Sequence, residues 1–78
     1  MLRQSHLEKW HVIAEGVNSL FSDFNITVPI GSTHNAVARE AVKCICGRHD
    51  LPRFKCWVVD HAVFVDIETR GELEIRRV

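Results

Sequence analysis

The strongest constraint on this chain lies in residues 54–78, where three short runs, FKCWVV, VFVDIE and ELEIRRV, are separated by turn-forming residues. In the second run Val63, Val65 and Ile67 alternate with Phe64, Asp66 and Glu68. In the third, Leu73 and Ile75 alternate with Glu72, Glu74 and Arg76. A period of two is that of a strand with one buried face and one wet face. This third of the chain is therefore expected to form a three-stranded antiparallel meander.

Turn geometry decides how the strands align, because a slip of one residue exchanges the two faces. Asp60-His61 as a two-residue loop opposes Val58 to Val63, Cys56 to Val65 and Trp57 to Phe64, and Asp and His tolerate left-handed backbone better than most residues. A three-residue loop Thr69-Arg70-Gly71, with Gly71 left-handed, opposes Ile67 to Leu73 and Val65 to Ile75. The oily faces then coincide. Trp57 and Phe64 become neighbours on the charged face, among Lys55, Asp66, Glu68, Glu72, Glu74 and Arg76.

Upstream, Ser5-His6-Leu7-Glu8 has the form of a capping box. Trp10, Ile13, Ala14, Val17, Leu20, Phe21 and Phe24 follow at three-and-four spacing, which predicts a helix from residue 5 to about 22. The segment NITVPI at 25–30 alternates β-branched residues and contains Pro29, so it predicts a short strand near 26–29 at a sheet edge. Gly31-Ser32-Thr33 breaks the chain and supplies a hydroxyl cap for a second helix. Its apolar face is Val37, Ala38, Ala41, Val42, Cys44 and Ile45, and Gly47 is its natural end.

The expected fold is a single α+β domain over 1–78, in the order α-β-α-β-β-β, with two helices packed on one face of a small antiparallel sheet. The last strand is expected at an edge, where it offers a route to a homodimer.

With 78 residues, 46% of them hydrophobic and 26% charged, the chain has the composition of one small globular domain. Ten basic and ten acidic residues cancel, which argues against a nucleic-acid partner. No apolar run reaches the roughly 18 residues of a membrane span, and the first residues lack the apolar core of a signal peptide. Three cysteines, an odd number, fit a reducing, cytoplasmic compartment. The match of Asn25-Ile26-Thr27 to a glycosylation sequon carries no weight in that compartment.

Chemistry-bearing patterns are sparse. Cys44, Cys46, His49 and Cys56 contain the ligand types of a zinc site, but Cys44 and Cys46 stand roughly 200° apart around a helix and the paired C-x-x-C spacing is missing. They are read as structural thiols, with no metal and no cofactor expected. Gly31-Ser32-Thr33 lacks the lysine and second glycine of a phosphate-binding loop and is read as a cap. No residue pair has the setting of a catalytic dyad, and no enzyme activity is expected.

The charged face of the meander is the candidate contact surface: Trp57, Phe64, Asp66, Glu68, Glu72, Glu74 and Arg76. Its aromatics offer an apolar centre and its carboxylates suit a basic protein surface. The resulting expectation is a non-enzymatic protein-interaction module that inhibits or regulates a larger complex. Small, motif-free, charge-balanced domains of this kind are common among phage and mobile-element proteins that block a host enzyme or a CRISPR effector, a prior drawn from the class and not from these residues. One alternative is a nucleic-acid-binding regulator using Arg39, Lys43 and Arg48; another is a small zinc or thiol protein.

Overall fold

Alternation turns out to govern more of the chain than its last third. In the computed structural model, which describes residues 6–14, 23–47, 51–68 and 70–78, the elements run β1 (Leu7–Ile13), β2 (Phe24–Pro29), α1 (His34–Cys46), β3 (Phe54–Val59), β4 (Ala62–Ile67) and β5 (Gly71–Arg77). The five strands form one antiparallel sheet in the order β2-β1-β5-β4-β3. A single described helix, α1, packs on one face against β2, β3 and β4.

The expected architecture of two helices on a small sheet is therefore overturned: the fold is mostly sheet. Leu7–Ile13, expected to be helical, is a strand, and Phe24, counted with the same helical spacing, opens β2. Ser5 and residues 15–22, which that helix also claimed, lie outside the described residues. The reason is visible in β1 itself. Trp10, Val12 and Ala14 alternate and are all buried, while Lys9, His11 and Ile13 point the other way. Aromatic and β-branched side chains of this kind favour a pleated, half-buried surface. The apolar Ile13 masks the alternation and imitates helical spacing.

The core lies between α1 and the sheet. Val37, Ala38, Ala41 and Val42 of the helix meet Val12, Ile26, Val28, Val63, Val65, Ile67, Leu73 and Ile75 of the strands. Small residues on the helix let it lie close to the sheet. Thr33 caps α1 by accepting from the Ala36 amide at 3.1 Å, and Gly47 (φ +91°) closes it with its amide on the Lys43 carbonyl at 2.9 Å. Cys44, expected on the oily face, is exposed.

The first hairpin has the expected register, Val58↔Val63, Trp57↔Phe64 and Cys56↔Val65. Asp60 and His61 both have positive φ, 50° and 66°, as a tight two-residue turn between twisted strands requires. In the second hairpin the register differs from expectation by two residues. Ile67 faces Gly71 and Val65 faces Leu73, so the loop is 68–70 and Gly71 (φ +126°) is the first residue of β5. A slip of two preserves the faces, and the buried and wet sides stay as expected.

The last strand is not an edge. β5 lies in the middle of the sheet, paired with β1 as well as β4, through Val12↔Ile75 and Val63↔Ile75. Both of its hydrogen-bonding sides are occupied, which removes it as a place for a second copy to add.

Candidate interaction face

Among the described residues no helix covers the sheet face opposite α1, and every strand contributes to it. One row across that face reads Trp57 on β3, Phe64 on β4, Glu74 on β5 and Ile13 on β1. The next reads Lys55, Asp66 and Glu72, and a third brings Arg76, His11 and Asn25 together.

The Trp57 and Phe64 rings stack with centroids 6.3 Å apart and planes 12° from parallel, within the range of favourable offset stacking. Trp57 remains 42% exposed, so the stacked pair still offers aromatic surface to solvent. Val58 and Val59, next along β3, are exposed to a similar degree. Ile13, half-buried, extends the apolar row on the far side of Glu74.

The charges around this row are partly mutually satisfied. The Glu74 carboxylate accepts from Arg76 Nε, and Asp66 stands between Lys55 on one neighbouring strand and Glu72 on the other. Two carboxylates directly opposed on adjacent strands repel, so the Asp66/Glu72 pair leaves unsatisfied negative charge at one end of the face. Glu68 adds to that end: it is exposed just beyond β4, and its amide donates to the Arg53 carbonyl at 3.0 Å. At the other end the His11 ring contacts Asn25 Oδ1 through Nδ1 at 2.8 Å and lies 3.5 Å from Asp23 through Nε2.

Of the residues singled out from the sequence, Trp57, Phe64, Asp66, Glu72, Glu74 and Arg76 thus share one face, with Glu68 at its margin. Ile13 and His11 belong to it as well, and a helical reading of residues 5–22 hides them. Their signal was present in the alternation around Trp10 and Val12.

The thiols are dispersed. Cys44 is exposed on α1, Cys46 half-buried at the helix end, where Arg70 Nη1 lies 3.8 Å from its Sγ, and Cys56 half-buried on β3. His49 lies outside the described residues. Among those described, no group of three or more His, Cys, Asp or Glu side chains is placed to hold a metal ion. Burial pushes the Cys56 thiol pKa above its ordinary value, the opposite of what activates a cysteine nucleophile.

On the core side, one end of the sheet carries an ordered polar cluster. Glu8 accepts from Arg77 Nη1 at 2.6 Å and from Trp10 Nε1 at 3.3 Å, and the Arg77 guanidinium lies 4.7 Å from the centre of the Trp10 ring. This cluster ties β1 to β5 and has a structural role. No described helix is long and apolar enough to cross a membrane.

No protein-family model, curated protein or solved structure matches the chain.

Proposed function

We propose that the chain is a non-enzymatic, cytoplasmic protein-interaction module that binds a protein partner through the sheet face opposite α1. The observation that carries this reading is the stacked Trp57–Phe64 pair, with Trp57 42% exposed on a face that no described helix covers. A solvent-facing Trp backed by a second ring is the kind of rigid, large-area anchor that dominates binding energy at interfaces. The carboxylates of Asp66, Glu68, Glu72 and Glu74 give the rim a negative bias, which favours a partner with a basic surface and speeds its approach at low salt. Stoichiometric inhibition or regulation of a larger complex is the mode of action that suits a small module acting by binding alone.

The test begins with a partner recovered by affinity capture from the native host and then purified. Wild-type protein should bind it at a fixed stoichiometry in calorimetry. Trp57→Ala should keep its far-ultraviolet circular dichroism and cooperative melting while binding roughly 30-fold or more weakly, the loss expected of a hot-spot residue. Unchanged affinity, or a variant that no longer folds, would remove the proposed site.

A further inference from the structure

The two edges of the sheet are not equivalent. At β2, the amide of Ile30 donates to the His6 carbonyl at 2.8 Å, which places the even-numbered residues of this strand toward β1 and leaves Asn25, Thr27 and Pro29 with the outward groups. Pro29 has no N–H, and its carbonyl accepts from both the amide and the hydroxyl of Ser32. That edge is blunted in the way natural sheets discourage pairing.

Among the described residues nothing comparable is found at β3. The Val59↔Ala62 pair closes a two-residue hairpin, and the Glu68 amide reaches the Arg53 carbonyl, so the odd-numbered residues address β4. The amides and carbonyls of Phe54, Cys56 and Val58 therefore point out of the sheet, and among the described residues no backbone hydrogen bond from a loop, turn or cap reaches them. The strand has no proline or glycine, and Trp57, Val58 and Val59 are 42%, 49% and 48% exposed.

We propose that this edge pairs with the β3 edge of a second copy of the chain, antiparallel, about a two-fold axis that passes beside Cys56 perpendicular to the sheet. The register follows from the backbone. Centred on Cys56, the pairs are Phe54 with the copy's Val58, Cys56 with the copy's Cys56, and Val58 with the copy's Phe54. Each pair exchanges both its hydrogen bonds, so all outward groups of the three residues are used. Centring on Trp57 instead would leave Phe54 facing the turn residue Asp60. The side chains agree with the first register: Phe54, Cys56 and Val58 meet on the core side, and Lys55 meets the copy's Trp57 on the other, where a cation over an indole is favourable. Lys55 is the sole charge within the paired segment and has Asp66 beside it on β4. Because the contact is isologous it closes at two copies, and the blunted β2 edges end the doubled sheet. The proposal stands on the backbone edge of β3 and does not require the partner proposed above, although Trp57 belongs to both surfaces.

Light scattering coupled to size-exclusion chromatography, run across a concentration series, should give twice the chain mass for the wild type. Val58→Pro removes one outward amide and no bond to β4, so it should stay folded by circular dichroism and run as a monomer. Should proline disrupt the fold, Val58→Lys supplies the same readout by placing an ammonium group against the copy's Phe54 on the paired edge. In a Cys44→Ser/Cys46→Ser background, the short thiol crosslinker dibromobimane should join two chains through Cys56 in the wild-type edge and lose that product in Val58→Pro or Val58→Lys. A wild type that is monomeric at every concentration, a dimer that survives the edge substitutions, or no Cys56 crosslink in the dimer would overturn the proposal. So would a monomer whose Val58 variants lose the captured partner, which would assign the edge to a strand of that partner.

Discussion

Trp57 stacks on Phe64 and stays 42% exposed, which separates it from the residues that hold the fold. Removing its ring forfeits the stack on Phe64, worth about 0.5–1.5 kcal/mol beyond the area the pair covers, at an exposed position. Leu73 is 1% exposed and lies within the core cluster, so Leu73→Ala leaves a cavity and should cost about 2–5 kcal/mol. In a domain of this size that is a large part of the total stability. Chemical denaturation of the two variants should show a midpoint close to wild type for Trp57→Ala and one far lower for Leu73→Ala. The thiols make a second test at this scale. Alkylation needs the thiolate, and burial shifts Cys56 away from ionising. In native protein near pH 8, mass spectrometry of peptides should find the exposed Cys44 labelled first and Cys56 last, with the order erased in denaturant.

At the scale of elements, the local signals were legible and the long-range ones were not. The Thr33 cap, the Gly47 stop and the Asp60-His61 turn are each decided by a few adjacent residues, and each stands where the residue types demanded. Strand β1 is decided otherwise. Its alternation of Trp10, Val12 and Ala14 has meaning only because β2 and β5 lie on either side of it, and Ile13 on the outer face gives the same stretch a helical rhythm. The register of the second hairpin failed for a related reason. Face parity fixes register only modulo two, so a glycine at position 71 fits either as the last loop residue or as the first strand residue. The candidate face survived this error because a slip of two moves no side chain to the other side. The first turn also yields a prediction. His61 holds a left-handed backbone (φ +66°), which costs a non-glycine residue free energy, while glycine brings its own entropic penalty on folding. The difference favours His61→Gly by up to about 1 kcal/mol, enough to raise the melting midpoint by several degrees in a chain of this length.

For the whole molecule, the decisive fact is that the last strand joins the two halves of the sheet. β2 and β1 form one hairpin, β3 and β4 another, and β5 stands between them, with Ile13 and Phe64 on opposite sides of Glu74. The N-terminal strand is thus held by the C-terminal one, and Glu8, Trp10 and Arg77 fasten the same seam with a hydrogen-bonded carboxylate and a cation over an aromatic ring. An isolated two-stranded hairpin is marginal in water, so neither half holds its structure once the seam is gone. Deleting residues 74–78 removes the β1-facing part of β5, including the fully buried Ile75, and uncovers Val12 and Val63. The expected result is not a protein missing a frayed end but loss of the cooperative thermal transition and of protected amides in β1, followed by hydrogen exchange. A truncated chain that still melts cooperatively, with β1 amides protected, would show that the two hairpins are held together by α1 alone and that β5 is not the keystone of the sheet.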